Sequence, residues 1–214
     1  LRDPCGAAEG RRVHDAEAQA AINGMTDDVT APLLEPVLKP LWAAYGAVKK
    51  ARDARQPLDL DLPERKILLD ENGGDDRVIL PPRLDAHKLM EEFMILANVA
   101  AAETLTEKRV PLVFRVHDSP SLEKLTALKE FLKSLDIDLP ATDAVKPATF
   151  NGILKKVEGS EHDQIVNEVV LRSQAQAEYT SENYGHFGLN LRKYAHFTSP
   201  IRRYADLIVH RALI

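Results

Sequence analysis

Two adjacent arginines near the end of the chain lie in a segment whose residue types could bind a phosphate. The segment reads Thr-Ser-Pro-Ile-Arg-Arg-Tyr over residues 198–204. Ser199 is a good helix N-cap and Pro200 is favoured at the first helical position, so the pattern predicts a helix that begins there. Arg202 and Arg203 would then lie in the first turn, where free N–H groups attract anions and guanidinium groups match phosphate oxygens. The segment therefore predicts an anion site.

An ordinary ion pair could instead account for the two arginines. Asp206 lies four residues after Arg202 and three after Arg203, spacings that bring side chains together on a helix. One carboxylate cannot satisfy two guanidinium groups well, which favours the anion site. Aromatic and imidazole side chains nearby could stack on the bases of a single-stranded nucleic acid or belong to the core. The candidate nucleic-acid-binding residues are His186, Tyr194, His196, Ser199, Pro200, Arg203, Tyr204, His210 and Arg211.

The charge of the chain is unevenly distributed. Residues 183–211 hold five Lys or Arg and one acid, a local charge of +4, although the net charge of all 214 residues is −5. This asymmetry predicts a local polyanion site on a protein of ordinary globular composition. Cys5 is the single cysteine, so no internal disulfide can form, and no apolar run reaches the roughly 18 residues of a membrane span. We therefore expect a cytoplasmic protein with no membrane partner.

Helical and extended patterns both occur before this segment. Apolar spacing, N-caps and prolines predict helices over about 16–22, from Lys39 to Arg55, from Asp85 to about 108, from Ser119 onward, and from Ser160 to about 178. Strict alternation of Leu and Asp predicts a strand over 58–62, and an apolar run predicts another over 112–116. Asn-Gly at 72–73 predicts a hairpin that joins 66–70 to 77–80. A loop is expected over 139–150. The mixture predicts an α+β fold, with several helices packed around a mixed or antiparallel sheet.

The sequence over 184–207 resembles the signature of the ribonuclease II/R (RNB) family, most of all its bacterial ribonuclease R members. The residues at 85–98 and the Phe-Arg-Val-His-Asp stretch at 114–118 also resemble that family. The resemblance is good over 57–214 and loose over 31–56. It implies the C-terminal part of an RNB catalytic domain over 31–214, truncated at both ends, and an irregular remnant or linker over 1–30.

The resemblance also implies an activity. Members of the family degrade single-stranded RNA from its 3′ end and release nucleoside 5′-monophosphates, so a 3′→5′ exoribonuclease is implied. Arg202 matches the family's arginine that stabilises charge on the scissile phosphate, and Glu91 matches its glutamate that helps to select ribose. These two residues are the implied catalytic residues. The implied partner is the 3′ end of single-stranded RNA, with no obligate protein partner.

Glu91 also stands out by its position on a predicted helix. It falls on one polar line with His87 and Asn98, on a helix that is otherwise apolar. A pair with His87, or simple exposure to solvent, is the alternative to a role in binding. Glu92, four residues after Lys88, is predicted to form an ordinary surface pair.

Aspartates are the expected metal ligands, because the resemblance implies two Mg²⁺ ions held by a D-x-x-x-x-x-D-x-D-D run. That run does not occur in the 214 residues. The adjacent aspartates at 27–28 and 75–76 are not accompanied by the other aspartates of such a run, and the second pair falls in a predicted turn. Asp59 and Asp61 fit the solvent face of a strand. We therefore expect no metal site, no bound Mg²⁺ and no hydrolysis by this chain alone.

Two other functions stay open from sequence. One is a metal-free RNA-binding module derived from the exoribonuclease fold. The other is a protein-interaction fragment in which Arg202 and Arg203 contact an acidic partner. The apolar helix that reaches Ile214 without a terminating residue favours a fragment of a longer protein.

Overall fold

The computed structural model describes residues 13–62, 66–69, 75–140 and 145–214. Its helices are α1 (Asp15–Ile22), α2 (Ala31–Leu33), a π-helical turn (Leu34–Leu38), α3 (Lys39–Arg55), α4 (Asp85–Glu107), α5 (Leu122–Lys133), α6 (Pro147–Val157), α7 (Asp163–Ser173) and α8 (Tyr204–Leu213). Its strands are β1 (Lys66–Leu69), β2 (Asp75–Ile79), β3 (Phe114–Val116) and β4 (Glu178–Thr180). The predicted α+β class is confirmed, and both strand pairs are antiparallel. None of the helices in these ranges is long and apolar enough to span a bilayer.

The chain divides into two compact units. The first holds the described residues up to Lys50 together with Pro82–Phe93, and the second holds Ala51–Pro81 and Met94–Ile214. The boundary predicted near residue 30 stays a prediction. In the first unit, α1 begins where it was expected, and its Glu17 carboxylate accepts a hydrogen bond of 2.9 Å from the His14 N–H. This contact satisfies one of the free amides at the start of the helix.

The start of α3 is also as predicted. Its regular hydrogen bonding begins at Lys39, after a π-helical turn that contains Pro36. Pro40 follows directly on this turn, and because proline has no N–H to donate, the wider π-type turn lies where the regular hydrogen-bond pattern is interrupted. The carboxylate of Asp27 accepts hydrogen bonds from the N–H groups of Val29 and Thr30 at 3.1 and 2.7 Å. Asp27 therefore caps the turn that leads into α2.

Two apolar clusters form the core of the second unit. The larger one is built mainly by α5, α6 and α7, and its buried members are Leu128, Leu132, Leu139, Phe150, Ile153, Leu154, Val157, Val166 and Val170. The smaller one joins the second half of α4 to β3 and α8, and its buried members are Ala101, Ala102, Leu105, Leu112, Phe114, Val116, Ala195 and Val209. The smaller cluster fixes α8 against α4 and thereby positions the segment with the two arginines.

The predicted strand over 58–62 is wrong, although its alternation of buried and exposed side chains is right. Leu58 and Leu60 pack against the larger cluster, while Asp59 and Asp61 are exposed. The backbone of this stretch has no neighbouring strand among the described residues. Instead the N–H groups of Asp59 and Asp61 donate to side-chain carbonyls of Asn151 and Asn167, at 3.0 and 2.9 Å. Side-chain amides of two helices thus take the place of a strand.

The predicted hairpin is confirmed, because β1 pairs antiparallel with β2. Its Asn-Gly turn at 72–73 lies outside the described residues. Residues 75 and 76 begin β2, so their predicted place in the turn is wrong. The predicted strand over 112–116 corresponds to β3, which pairs with β4, a strand that the sequence patterns did not indicate.

Three other element boundaries differ from prediction. The cap of α5 is Ser121, whose hydroxyl accepts a backbone hydrogen bond of 3.3 Å, rather than Ser119, whose N–H donates to Asp118. The first residue of α5, Leu122, is consequently 82% exposed. The loop expected over 139–150 ends earlier, since α6 begins at Pro147. Helix α7 begins at Asp163 and ends at Ser173, short of the end expected near 178.

Candidate functional site

The last helix begins later than the sequence predicts. Tyr204 is the first residue of α8, and Arg203 is its N-cap with extended backbone angles (φ −126°, ψ 118°). The preceding residues form a turn in which the N–H groups of Arg202 and Arg203 donate to the Ser199 carbonyl at 3.3 and 3.1 Å. Ser199 therefore closes a turn instead of capping a helix. The prediction that both arginines lie in the first helical turn is wrong.

Asp206 explains why the turn forms. This carboxylate is fully buried, and it accepts a hydrogen bond of 2.7 Å from the Ser199 N–H. It also accepts two hydrogen bonds of 2.8 Å from Nε and Nη2 of Arg203. Burial raises the pKa of Asp206, but the hydrogen bonds from Arg203 and Ser199 outweigh it and leave the pKa below its usual value. Asp206 thus holds a charge that is satisfied by Arg203.

Arg202 is left without a carboxylate. Its side chain is exposed, and no hydrogen bond or ion pair in the described parts of the chain involves its guanidinium group. Ile201 before it is fully exposed, and Tyr204 after it is 69% exposed. The turn therefore projects into solvent and presents one uncompensated positive charge, as an anion site requires.

Asn98 of α4 holds the segment just before the turn. Its side chain is buried, and its Oδ1 accepts hydrogen bonds from the N–H groups of Phe197 and Thr198 at 2.8 and 3.2 Å. Its Nδ2 donates to the hydroxyl of Tyr194 at 2.9 Å. The imidazole of His210 stacks on Phe197 at 4.2 Å between ring centres, and its Nε2 lies 2.9 Å from the Phe197 carbonyl. Tyr194 and His210 are therefore engaged within the protein.

Two imidazoles, those of His117 and His186, organise the loop at 185–191. Nε2 of His117 lies 2.9 Å from the Ala175 carbonyl, and its Nδ1 accepts a hydrogen bond of 2.9 Å from the Gly188 N–H. Nδ1 of His186 accepts from the Leu189 N–H at 3.2 Å. Both contacts need an unprotonated Nδ1. Burial lowers the pKa of His117, and burial together with His117 lowers that of His186 to about 3. The two rings, 5.0 Å apart, are thus neutral structural groups.

His196 belongs to a polar face of β3 and β4 that sequence reasoning did not identify. Arg115 pairs across the strands with Tyr179, and its guanidinium carbon lies 4.8 Å from the centre of that ring. The Tyr179 hydroxyl lies 2.7 Å from Nδ1 of His196, whose pKa falls to about 4 through burial and the nearby Arg203. The alternation of Phe, Arg and Val along β3 was the available signal, because it places Arg115 on the face opposite the two apolar side chains.

A cleft of about 480 Å³ lies beside this region. Its lining includes His117, Tyr184, His186, Asn190 and Arg192. Tyr184 is about half exposed, and Arg192 is exposed. The cleft is polar and open, which is typical of a surface that binds a charged chain rather than a small apolar ligand.

Glu91 lies in the first unit, in an arrangement that differs from both alternatives considered. Its Oε2 accepts a hydrogen bond of 2.8 Å from Nη2 of Arg83, and both side chains are about half exposed. His87 instead accepts a hydrogen bond from the Leu84 N–H at 3.2 Å. The predicted surface pair of Glu92 is wrong, because Glu92 is buried, with 5% of its surface exposed. Nζ of Lys88, its expected partner, lies 3.8 Å from Oδ1 of Asp85.

The described residues do not fit a pair of magnesium ions. No group of three or more His, Cys, Asp or Glu side chains converges anywhere in those ranges. Two of the aspartates that sequence reasoning considered have other partners, since Asp27 caps a turn and an oxygen of Asp59 lies 2.9 Å from Nη2 of Arg52. No step of a reaction is therefore assigned to a metal ion here.

The chain is similar to known proteins in sequence and in fold. Residues 9–214 match the RNB domain. The chain belongs to the RNB domain family. Ribonuclease R of Escherichia coli K12 is 40% identical over 183 residues, which are 86% of this chain and 22% of that protein. This RNB chain thus spans about a fifth of the length of the curated relatives it matches. The resemblance inferred from residues 184–207 is confirmed.

Solved structures agree with this assignment of the RNB chain. Ribonuclease R of Mycoplasma genitalium, in complex with ribose-methylated single-stranded RNA, matches with a TM-score of 0.84 and 28% identity. The match covers 93% of this chain and 31% of that one. The same enzyme in complex with double-stranded RNA matches with a TM-score of 0.84, over 92% of this chain and 35% of that one. The RNB fold is therefore present over nearly the whole chain.

Proposed function

We propose that this chain is part of a 3′→5′ exoribonuclease that hydrolyses single-stranded RNA to nucleoside 5′-monophosphates. The exposed guanidinium of Arg202 carries the proposal, because it lies on a turn whose other charged groups already have partners. Membership of the RNB family supports the reaction type. The RNA-bound states of the ribonuclease R of Mycoplasma genitalium support RNA as the substrate.

In this proposal Arg202 acts on charge that develops at phosphorus. Attack by water adds negative charge to the non-bridging oxygens, and the P–O3′ bond then breaks to leave a 3′-hydroxyl on the shortened RNA. A guanidinium group held beside those oxygens stabilises the transition state more than the ground state. Arg203 has a different task, since Asp206 neutralises it and uses it to hold the turn. The family's Mg²⁺ would have to be held by residues outside the described ranges.

Glu91 is the proposed selector of ribose. A carboxylate accepts a hydrogen bond from a 2′-hydroxyl, which DNA lacks. Arg83 occupies Oε2 of Glu91 and would orient the carboxylate while leaving acceptor sites on it. The half-exposed state of Glu91 supports access for a nucleotide.

The remaining proposed RNA contacts divide by their environment. Tyr204 and Arg211 are exposed and have side chains that suit stacking and phosphate binding. The other proposed contacts have internal hydrogen bonds or limited exposure and would act mainly by shaping the surface; they are His186, Tyr194, His196, Ser199, Pro200, Arg203 and His210. The proposed partner is the 3′ end of a single-stranded RNA.

A metal-free RNA-binding module is the second candidate. The uncompensated charge of Arg202 favours it equally, because a phosphate can be bound without being cleaved. The two candidates differ in the fate of the bound RNA. The exoribonuclease needs Mg²⁺-dependent release of mononucleotides from the protein encoded by the whole gene, and the binding module needs none.

The test uses a 3′-labelled oligoribonucleotide with this chain and with the protein encoded by the whole gene. We expect this chain to bind the RNA with an affinity that falls steeply as salt rises, because each neutralised phosphate releases counterions. We expect mononucleotide release with Mg²⁺ from the longer protein only. Robust release by the 214-residue chain would overturn its expected inactivity, and RNA binding without release by the longer protein would leave the binding module. Absence of binding by both would refute each candidate.

A further inference from the structure

We propose that Asn98 is a positioning residue for Arg202, a role that rests on the proposed function. Asn98 lies on α4, about a hundred positions before the turn, and its buried amide is the main polar contact between that helix and residues 197–198. Nothing in its position along the sequence indicates this role. It follows from three hydrogen bonds made by one side chain.

The chemistry of the site explains why the residue is asparagine. The carbonyl oxygen has two lone pairs, and each accepts one of two consecutive backbone N–H groups, those of Phe197 and Thr198. The amide nitrogen donates to the buried Tyr194 hydroxyl. An aliphatic side chain would leave these groups unpaired, and each buried unpaired group costs about 1–3 kcal/mol.

Asn98 works together with a second buried group. The N–H of the next residue, Ser199, donates to the carboxylate of Asp206. Three consecutive backbone N–H groups are thus held by buried side chains from two different helices, α4 and α8. The Ser199 carbonyl then closes the turn by accepting from Arg202 and Arg203. Arg202 is consequently presented to solvent from a backbone that is fixed on both sides.

This fixed backbone has a kinetic consequence. A guanidinium group that is already in place at the phosphate does not lose backbone freedom in the transition state, whereas displacement of about 1 Å can cost roughly a hundredfold in rate. Loss of Asn98 should therefore lower kcat while the exposed charge of Arg202 still contributes to RNA affinity. A residue that only stabilises the core would instead affect the amount of folded protein.

Asn167 provides a matched control in the same unit. It is also a buried asparagine on a helix, its Oδ1 accepts a backbone hydrogen bond of 2.9 Å from Asp61, and its Nδ2 donates to the Asp163 carbonyl at 3.0 Å. Asn167→Ala and Asn98→Ala remove the same kind of interaction. Asn167→Ala releases the segment at 58–62, whereas Asn98→Ala releases residues 197–198.

The experiment compares Asn98→Ala, Asn98→Asp and Asn167→Ala in the longer protein, at a temperature where all remain folded. We expect Asn98→Ala to lower kcat about tenfold to a hundredfold while the dissociation constant for RNA changes less than about threefold. Asn98→Asp keeps an acceptor for both N–H groups and should recover part of the loss. Asn167→Ala should leave kcat unchanged. Equal loss of kcat in Asn98→Ala and Asn167→Ala would overturn the proposal.

Amide hydrogen exchange separates this inference from the proposed function. The N–H groups of Arg202 and Arg203 do not touch Asn98, yet they should exchange faster in Asn98→Ala and not in Asn167→Ala. Unchanged exchange would show that Asn98 does not position the turn. If the wild-type longer protein releases no mononucleotides, the proposed function fails, and the exchange comparison alone decides whether Asn98 positions Arg202.

Discussion

Arg203 binds the buried carboxylate of Asp206 through two hydrogen bonds of 2.8 Å, from Nε and from Nη2. The neighbouring Arg202 makes no hydrogen bond or ion pair with this carboxylate. Two adjacent residues of the same type thus have opposite environments, one neutralised and one free in the described structure. This division is the one expected if a single carboxylate cannot satisfy two guanidinium groups. Arg203 therefore contributes to the stability of the fold, and Arg202 is available for an anionic ligand.

Removal of Arg203 should destabilise the fold, whereas removal of Arg202 should not. Arg203→Ala leaves the charge of Asp206 buried and only partly satisfied, so we expect the free energy of unfolding to fall by about 1–3 kcal/mol. Arg202→Ala removes an exposed side chain and should change it by less than about 0.5 kcal/mol. Urea denaturation followed by circular dichroism measures both. Equal effects of the two substitutions would contradict the division of roles.

Arg202→Ala in the longer protein should lower turnover much more than RNA affinity. The reason is that its charge matches the transition state better than the ground state in the proposed mechanism. Single-turnover rates and equilibrium RNA binding measure the two quantities separately. Arg172→Ala, which removes an exposed arginine paired with Glu168 on α7, serves as the control and should change neither. A proportional loss of turnover and affinity would indicate a binding role for Arg202.

Gly188→Ala should destabilise the loop at 185–191. A Cβ atom at Gly188 would lie 3.0 Å from Nδ1 of His117, the atom that accepts the Gly188 N–H. Crowding of this kind typically costs about 1–3 kcal/mol in the free energy of unfolding. Gly152→Ala is the matched control, because Gly152 lies in α6 with no atom within 4 Å of the new methyl. It should instead raise stability by about 0.5–1 kcal/mol through helix propensity. A Gly188→Ala variant that is as stable as the wild type, or more stable, would contradict the described loop.

Acid should weaken the fold in a defined range of pH. In the folded chain the pKa of His186 is about 3 and that of His196 about 4, both below the value near 6.5 of a free imidazole. The unfolded chain therefore takes up protons that the folded chain does not, and the free energy of unfolding falls as pH drops from about 6.5 toward 3. Above about 6.5 these histidines contribute no pH dependence. Asp206 adds a further loss of stability at the acid end of this range. Its pKa is lowered in the folded chain, so its stabilising contribution is lost as the pH falls and the carboxylate is protonated.

Urea denaturation at a series of pH values measures this effect. His186→Asn should flatten the dependence between about pH 4 and pH 6.5, because one of the imidazoles whose pKa is lowered by burial is then absent. A wild-type curve that is flat over this range would mean that the imidazoles are not buried as described.

The parts of the fold that sequence reasoning predicted correctly depend on local signals. The start of α3 follows from prolines that interrupt regular helical hydrogen bonding, and the hairpin of β1 and β2 follows from Asn-Gly between two apolar runs. Helix α4 follows from continuous apolar spacing, and the aspartate expected to cap it, Asp85, is instead its first residue. In each case the residues that decide the structure lie within a few positions of it.

The errors arise where a distant side chain decides the backbone. Ser199 has every local property of a helix cap, but its N–H and the Arg203 side chain both bind the carboxylate of Asp206, seven positions after Ser199, and α8 begins only at Tyr204. The contacts of Asn98 span about a hundred positions, and although Asn98 falls on a polar line of α4, that spacing does not indicate which backbone it binds. Arg202 could be recognised from the sequence, because two arginines and one aspartate within five positions leave one positive charge over, and that comparison needs no long-range information.

The segment over 58–62 also has a consequence for how the chain tolerates change in length. Its register is fixed by two asparagine side chains, at Asp59 and Asp61, while Leu58 and Leu60 face the apolar cluster. A single inserted residue would exchange the leucine and aspartate faces, as a one-residue slip does in a sheet. This stretch without regular secondary structure should therefore reject insertions that ordinary surface loops accept, and its length should be as constrained as that of a strand.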